Sequence, residues 1–351
     1  MVMSKPAVRF CPVAPKKIWQ IKNKIVKINI IMNKNLRKFC VAPMMGYTTP
    51  HARNLYRILS ENAFLFTEMI PSKKLIHYKN IRKILEKNNQ NPIALQVGGS
   101  NYKELIKCAK IAELYEYDEI NLNVGCPSKA VQKGKFGACL MKEKKLVKDC
   151  LKAMNENTKI EVTLKCRIGI DNLNSYDFFR YFIDEILKSE IKIIYVHARN
   201  AYLKGLSPKN NLSIPPLKYD YVAKIKNHYP DIQFILNGGI KSLDEGYKYS
   251  KTFDGVMVGR LIQSNPFCLF DVDEMFYKKG KKKYNYKKII YEYFNYVKIK
   301  IEEESIFQLM SPLLGIFFGI PNGKKFKLAI NDKMKNCAID ELESIFLKLV
   351  K

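Results

Sequence analysis

The stretch IALQVGGSNYKELIKCAKIAELYEYDEINL, from Ile93 to Leu122, contains the unit from which the fold is built. A short apolar run at 93–97 is followed by an amphipathic segment at 102–116 and by a second apolar run at 119–122. A buried strand, a helix and another buried strand in this order predict two parallel strands joined by a crossover helix.

Apolar runs of this kind recur along the chain, separated by helix-like segments such as 144–154. The runs are 39–44, 64–67, 93–97, 119–122, 161–165, 193–197, 234–237 and 255–258. Such a series over about 240 residues predicts an α/β fold, a (β/α)8 TIM barrel spanning 39–277. A doubly wound sheet is the alternative, but its first strand is normally followed by a Gly-rich turn. Here the first run leads into Ala42-Pro43-Met44-Met45-Gly46.

The two ends of the chain differ from this central part. The charged segment 278–283 predicts a hinge, and residues 284–351 predict a small C-terminal helical domain. Residues 1–38 are basic and lack acidic side chains, the first of which is Glu61. They predict a leader with one of three roles: a transit peptide to a plastid or mitochondrion, a dispensable arm, or an RNA-binding arm. Translation from Met32 is a further alternative, and without a transit peptide the cytoplasm is expected.

Charge and cysteine content narrow the classes of protein. The net charge of +28 predicts a polyanionic partner, although a general lysine bias would give much of the same excess. Nine cysteines without a CxxC pair favour free thiols in a reducing, intracellular compartment. No cluster has metal-ligand spacing and no early apolar stretch can span a bilayer, so we expect neither a metal nor a membrane partner.

Polar side chains follow the predicted strands, at the end where catalytic groups of such barrels lie. They are Gln96, Asn121, Asn123, Lys165, Arg167, His197, Arg199, Asn237 and Arg260. The loops Asn237-Gly238-Gly239 and Gly259-Arg260 predict a phosphate site, because glycines let backbone N–H groups approach the oxygens. The alternative is that these glycines only form tight turns.

Lys165 and His197 suit the pyrimidine side of a flavin, where negative charge builds up on reduction. The alternative for His197 is a core residue, which is the more common role of a lone histidine.

Cys126 lies in the loop after the fourth run and is followed by Pro127. An exposed cysteine at the mouth of a barrel is a candidate nucleophile or acid. Four other cysteines occupy apolar positions and are predicted to be packing residues: Cys108, Cys139, Cys150 and Cys166.

Six motifs in order along the chain closely resemble those of the tRNA-dihydrouridine synthases. They are APM at 42–44, TEM at 67–69, ALQVGGS at 94–100, YDEINLNVGCPS at 117–128, FGACLM at 136–141 and NGGI at 237–240. Three further segments, 197–199, 205–209 and 214–217, are similar to the bacterial A-type subgroup, which modifies position 20 or 20a of the D-loop. The resemblance covers 39–277 and, more weakly, 314–321.

The chain departs from the family pattern at two places. It has Met45-Gly46-Tyr47-Thr48 where the family often has Leu-Asp-Trp-Thr, and Leu212 where the subgroup commonly has arginine.

The resemblance implies FMN as cofactor, NADPH as reductant and tRNA as substrate, with tRNA also bound by residues 284–351. The residues it implies at the flavin are Pro43, Met44, Met45, Gln96, Lys165, His197, Asn237, Gly238, Gly239, Gly259 and Arg260. Those expected on the uracil and tRNA side are Asn123, Arg167, Arg199, Lys209 and Asn211. Cys126 would donate a proton to C5 of the uracil while the flavin delivers hydride to C6.

Two other functions remain open on the residues alone. One is an FMN barrel that reduces a small molecule, which would need neither the basic excess nor the C-terminal helices. The other is an RNA-binding protein with an inert flavin site, against which the intact set of Cys126, Lys165, His197 and Arg260 argues.

Overall fold

The computed structural model describes residues 36–280, 285–319, 321–335 and 338–349. Its strands are all parallel and follow the order β1-β9-β8-β7-β6-β5-β4-β2, with β3 beside β4. The strands are β1 (Phe39–Val41), β2 (Leu65–Phe66), β3 (Ile70–Pro71), β4 (Ile93–Gly98), β5 (Glu119–Val124), β6 (Glu161–Arg167), β7 (Ile193–His197), β8 (Gln233–Asn237) and β9 (Gly255–Val258). A parallel bridge between Cys40 and Phe64 joins the two ends of this order. The predicted (β/α)8 barrel is therefore confirmed.

Helices alternate with the strands and continue beyond the barrel. Those of the barrel part are α1 (Pro50–Leu59), α2 (Ser72–His77), α3 (Ile81–Leu85), α4 (Tyr102–Leu114), α5 (Lys129–Lys133), α6 (Lys144–Asn155), α7 (Tyr176–Leu187), α8 (Tyr219–His228), α9 (Leu243–Tyr249), α10 (Arg260–Ser264) and α11 (Val272–Tyr277). Those after the barrel are α12 (Tyr286–Lys300), α13 (Ile306–Met310), α14 (Gly323–Lys333) and α15 (Ile339–Leu349). Short 3-10 helices cover Gly137–Lys142, Asn210–Leu212, Pro266–Asp271 and Leu313–Phe317. Within the described ranges, no helix is both long and apolar enough to cross a membrane.

Several helices begin at a side chain that accepts hydrogen bonds from the first turn. The Asn101 side chain accepts from the backbone N–H groups of Lys103 and Glu104 at the start of α4. Ser175 and Ser242 have the same role at α7 and α9. Such caps satisfy donors that have no partner within the helix, and so they fix where each strand-to-helix connection ends.

The barrel interior is apolar on one side and polar on the other. The apolar cluster comes mainly from β1, β2, β7, β8 and β9, with Phe66 and Tyr195 in edge-to-face contact at its centre. Buried polar side chains from β4, β5 and β6 occupy the opposite side. The division follows from the alternation of side chains along each strand, because every second residue of a barrel strand points inward.

Arg37 closes the N-terminal end of the barrel. Its side chain is 1% exposed and forms an ion pair with Glu119 at 2.7 Å. Gly255 permits this arrangement, since a Cβ there would lie 1.9 Å from the carbonyl oxygen of Arg37. Arg37, which the sequence analysis assigned to the predicted leader at 1–38, is buried against the barrel. The rest of that predicted leader, 1–35, lies outside the described residues.

The C-terminal helices pack against the barrel on the side of α1. The His51 imidazole and the Tyr296 hydroxyl are 2.7 Å apart, and Lys300 forms an ion pair with Glu86 at 2.6 Å. Within this helical part, Phe294 of α12 packs against Phe346 of α15. The predicted hinge lies partly outside the described residues, which omit 281–284. These contacts fix the helices beside the barrel and leave a groove between the two parts.

Candidate active site

The strand register brings the predicted site residues together at the C-terminal end of the barrel. Asn123 of β5 lies beside Lys165 of β6, and His197 of β7 lies beside Asn237 of β8. Arg167 pairs in register with His197. The side chains that sequence analysis located at separate strand ends therefore line one mouth.

Lys165 is held at this mouth by a neighbouring amide. Its Nζ donates to Oδ1 of Asn237 at 3.0 Å, and the Asn237 amide donates in turn to the carbonyl of Met257 at 2.8 Å. Burial and the nearby charge of Arg167 together lower the pKa of Lys165 to about 8. The amine is therefore charged at neutral pH but close to losing its proton.

His197 is buried and surrounded by cations. Burial holds its pKa well below the ordinary value, and the positive charges of Arg167, Lys165, Arg199 and Arg260 act in the same direction. The imidazole is therefore neutral near pH 7. The ring lies against Gly238, where a Cβ would come within 2.6 Å of Cδ2 of His197. Since Gly238 also has a φ of +112°, this loop needs glycine there.

The loops after β8 and β9 are those in which the sequence predicts a phosphate site. Gly239 has a φ of +77°, and a Cβ on it would lie 2.4 Å from the Leu217 side chain. The Tyr219 hydroxyl donates to the Gly238 carbonyl at 2.5 Å and so supports the loop from outside. Arg260 begins α10 and is exposed, which leaves its guanidinium accessible to an anion.

The segment after β1 turns sharply beside these loops. The Met44 N–H donates to the Thr48 hydroxyl at 3.0 Å, and the Gly46 N–H donates to Glu68 at 2.5 Å. The Met44 sulfur would be 3.4 Å from a Cβ on Gly259. Pro43 and Met44 are half-buried, whereas the Met45 side chain is 67% exposed. Of these three predicted flavin contacts, Met45 therefore lies furthest from the protein core.

Cys126 lies in a loop that is fixed from both sides. Its N–H donates to Oδ1 of Asn123 at 3.0 Å, and its carbonyl accepts from Ala138 at 2.9 Å. A Cβ at Gly137 would lie 2.6 Å from that carbonyl oxygen, so glycine permits the close approach. The thiol forms no disulfide and is half-buried. It lies near enough to Lys165 to influence the pKa of the lysine. The geometry therefore presents this sulfur at the same mouth as the lysine.

Three of the four cysteines that were predicted to be packing residues are buried. They are Cys108, Cys150 and Cys166. Cys139 is only half-buried, and its thiol donates to the Phe136 carbonyl at 3.1 Å. Its predicted packing role is therefore only partly matched, and it offers a second accessible thiol for comparison with Cys126.

Arg167 and Asn211, which the resemblance implies on the tRNA side, are both buried. Arg167 is 2% exposed and donates to the carbonyls of Gly125, Asn200 and Asn211, each at 3.0 Å. Asn211 is buried and holds its own loop, accepting from the Tyr202 N–H at 2.7 Å. In this conformation both side chains bind protein backbone, because the loop after β7 folds over them.

Arg199 and Lys209 differ from that pair. Arg199 donates to the carbonyls of Ser213 and Pro215, while its buried Nε has no hydrogen-bond partner. Lys209 is exposed on the same loop. Of the predicted tRNA contacts, Lys209 is therefore the one that is open to a partner.

Sequence analysis missed the polar residues deeper in the barrel. Glu119 and Thr163 are buried and hydrogen-bonded to each other at 2.5 Å, and neither was a candidate. The pattern that could have revealed them is the alternation of polar side chains at 119, 121 and 123, which share one face of β5. Across the described part of the chain, no group of three or more His, Cys, Asp or Glu side chains could hold a metal.

A cleft of about 980 Å³ opens beside the mouth, between the barrel and the C-terminal helices. The segment after β1 lines one wall, through Met45 and Tyr47, and Phe307 and Lys327 line the other. Cys126 and His197 do not line it, so the cleft adjoins the mouth and does not cover it.

The fold and the cationic mouth define a (β/α)8-barrel enzyme whose site suits an anionic ligand. The family model described as Dihydrouridine synthase (Dus) matches residues 40–348, and the chain belongs to this family. It is therefore an oxidoreductase, and the resemblance drawn from the six sequence motifs is confirmed.

Curated relatives from several bacteria match most of the chain, and each is named tRNA-dihydrouridine(20/20a) synthase. The protein of Shewanella oneidensis is 40% identical over 310 residues, which cover 88% of this chain and 92% of the relative. That of Yersinia pestis is 41% identical, over 85% of this chain and 86% of its own. That of Escherichia coli K12 is 40% identical, over 86% and 88%.

Proposed function

We propose that this protein reduces uridine to 5,6-dihydrouridine at position 20 or 20a of the tRNA D-loop, with FMN as cofactor and NADPH as reductant. The observation that supports this most is the cationic mouth around a neutral His197, with Cys126 beside it. The names of the relatives supply the substrate and the position.

The residues at the mouth fit FMN. Gly238 and Gly239 adopt positive φ angles, and glycines of this kind let a loop bring backbone N–H groups close to phosphate oxygens; Arg260 adds an exposed guanidinium. Lys165 is placed to stabilise negative charge at the pyrimidine end of the ring system. The buried Nε of Arg199 has no hydrogen-bond partner, so a ligand oxygen nearby would satisfy it.

Reduction of the C5–C6 double bond requires a hydride at C6 and a proton at C5. When bound, FMN supplies to C6 of the uracil the hydride that it receives from NADPH. Cys126 holds a proton on Sγ and transfers it to C5, which completes the saturated C5–C6 bond, and solvent returns a proton to the sulfur. The second Nδ2 hydrogen of Asn123 remains to orient the uracil, because the first is donated to Gln96. A base must leave its stack to reach this mouth.

Features outside the mouth support an RNA substrate. The cleft beside it has a volume of about 980 Å³ and is lined by Lys74, Lys83 and Lys327. The exposed ring of Phe307, from the C-terminal helices, lines the same cleft as these lysines. Basic and aromatic side chains together are typical of surfaces that bind single-stranded nucleic acid. We therefore assign tRNA binding to residues 284–351 together with this cleft.

The decisive experiment compares Cys126→Ala with Cys139→Ala on unmodified tRNA. Both variants lose a half-buried thiol, but only the first lies at the mouth. We expect both to purify as yellow proteins that release FMN on denaturation. Mass spectrometry of the tRNA should find dihydrouridine with Cys139→Ala and none with Cys126→Ala. Full turnover by Cys126→Ala would remove its assigned role, and a colourless wild-type protein that FMN cannot reconstitute would refute the cofactor.

The position in tRNA needs a separate test in cells. Basic and aromatic surfaces bind RNA without selecting one nucleotide. The modified position is therefore found by mapping dihydrouridine in tRNA from cells that lack the protein. Loss at 20 or 20a is expected. Retention at both positions would contradict the proposed substrate and would favour reduction of a small molecule.

A further inference from the structure

We propose that Glu119, Thr163 and Asn121, which lie below the mouth, position the Cys126 loop through a directional chain of hydrogen bonds inside the barrel. We call this chain the interior ladder; its members are Glu119, Thr163, Asn121, Gln96 and Asn123. The inference rests on the proposed function in one respect, since it takes Cys126 as the proton donor.

The ladder is continuous from the bottom of the barrel to the catalytic loop. The Thr163 hydroxyl donates to Glu119 at 2.5 Å, and Asn121 Nδ2 donates to the Thr163 hydroxyl at 2.7 Å. Gln96 Nε2 then donates to Asn121 Oδ1 at 2.8 Å. Asn123 Nδ2 donates to Gln96 Oε1 at 2.9 Å. Every member is buried, so water does not compete for these bonds.

The last step reaches the backbone around the thiol. Oδ1 of Asn123 accepts from the N–H of Gly125 at 3.1 Å and from the N–H of Cys126 at 3.0 Å. The amide of Asn123 thus uses its oxygen for the loop and one N–H for the ladder. Rotation of this amide by 180° would set its NH2 group against two backbone donors, so its orientation decides whether the loop is held.

The direction of the ladder is set at its lower end. A carboxylate only accepts hydrogen bonds, so the Thr163 hydroxyl must donate to Glu119 and can then only accept from Asn121. That choice fixes the Asn121 oxygen toward Gln96 and the Gln96 oxygen toward Asn123. The Asn121 and Gln96 amides could each be satisfied in two orientations on their own. In the chain they have one, because Thr163 at one end and the two backbone donors to Asn123 at the other allow only that orientation.

Arg37 keeps the lower end a carboxylate. Burial raises the pKa of Glu119, but Arg37 lies 2.7 Å away and does not give up its proton in proteins, so the two are held as an ion pair. The Tyr195 hydroxyl donates to the same carboxylate at 3.0 Å. Tyr195 is not part of the ladder, because the bonds that lead to Asn123 pass through Thr163 alone.

This branching provides a matched pair of variants. Thr163→Val and Tyr195→Phe each remove one buried hydroxyl that donates to Glu119, but only Thr163→Val interrupts the ladder. Thr163→Ser keeps the hydroxyl and is the conservative variant. The measurement is native-state hydrogen exchange of the FMN-loaded protein, followed by mass spectrometry of peptides that contain Gly125 and Cys126. We expect exchange of these two amides to be roughly tenfold faster in Thr163→Val, and unchanged in Tyr195→Phe and Thr163→Ser.

A general loss of stability would raise exchange across the barrel in Thr163→Val and Tyr195→Phe alike, and that result would overturn the proposal. If Thr163→Val does not fold, Asn121→Leu interrupts the ladder at a second point with a side chain of similar shape. With tRNA, the interrupted variants should lose roughly tenfold in kcat with little change in KM, because the thiol and not the RNA surface is affected. Equal kcat in Thr163→Val and Tyr195→Phe would also overturn it.

The two proposals fail in different ways. If Cys126→Ala remains active, the proton donor is misassigned, yet the selective exchange of the Gly125 and Cys126 amides would still establish the ladder. If exchange is uniform while Cys126→Ala is inactive, the proton donor stands and the ladder is refuted.

Discussion

Replacing Lys165 by methionine should change how the stability of the FMN-free protein depends on pH. In the folded chain, burial and Arg167 lower the pKa of Lys165 to about 8, against its ordinary value of 10.5, which applies once the chain unfolds. Between these two values the unfolded chain binds more protons than the folded one. The free energy of unfolding therefore rises with pH across this window.

The size of the effect follows from the difference between the two pKa values. One pKa unit corresponds to about 1.4 kcal/mol, so a lowering from 10.5 to about 8 corresponds to roughly 3 kcal/mol. Below pH 8 the folded protein bears the full cost of a buried charge. Above pH 10.5 the amine is neutral in both states and that cost is gone. Methionine has a similar length and no charge, so its variant lacks this contribution at every pH.

The assay is urea unfolding of wild type and Lys165→Met at several pH values from 7 to 10.5. Tyrosines that titrate in this range are common to both proteins, so the difference between the two curves isolates Lys165. We expect wild type to gain about 3 kcal/mol relative to the variant as the pH rises. Lys192→Met, at an exposed position, is the control. A difference that is flat with pH, or that falls, would refute the assigned burial of the Lys165 charge.

Three further substitutions test the fold and the mouth. Gly238→Ala should cost about 1–3 kcal/mol through its φ of +112° and should displace His197, so FMN affinity measured by fluorescence should fall. Gly255→Ala should lower the melting temperature sharply, since its Cβ would lie 1.9 Å from the Arg37 carbonyl oxygen. Asp273→Asn should cost about 1–3 kcal/mol at neutral pH, because hydrogen bonds hold the pKa of this buried carboxyl below its ordinary value. Its deficit should vanish as the pH falls and wild-type Asp273 becomes protonated.

Each of these has a clear contrary result. Unchanged FMN affinity in Gly238→Ala would mean that the loop after β8 does not face the cofactor. An unaltered melting temperature in Gly255→Ala would contradict the close approach of Arg37. A deficit in Asp273→Asn that persists at low pH would show that its hydrogen bonds do not depend on the charge.

Strand positions were largely predictable, whereas their ends depended on local chemistry. The runs 193–197 and 255–258 coincide with β7 and β9. The first run was expected to reach residue 44, but β1 ends at Val41, two residues before Pro43, which has no N–H to donate. The two-residue strand β3 was missed, because Ile70-Pro71 is too short to give a periodic pattern.

The sequence predicted which residues lie at the strand ends, but it did not predict which of these side chains are open to a ligand and which are buried. Their position at strand ends predicted that Lys165, His197 and Asn237 face one mouth. In the structure, Lys165 donates to Asn237, and His197 pairs in register with Asn237. The strand pattern does not predict how a loop folds back, which is why Arg167 and Asn211 proved to be buried. Burial of a charge so close to the mouth depends on carbonyl groups that come from distant parts of the sequence.

The position of Arg37 sets a lower limit on the shortest version of this protein that can fold. Trimming the N-terminus to begin at Phe39 would remove the guanidinium and leave Glu119 as a buried carboxylate without its cation, a change that commonly costs about 3–5 kcal/mol. Trimming to begin at Met32 would keep Arg37. Anyone who shortens the chain for crystallisation should therefore choose the earlier residue, even though the first motif of the barrel begins only at Ala42.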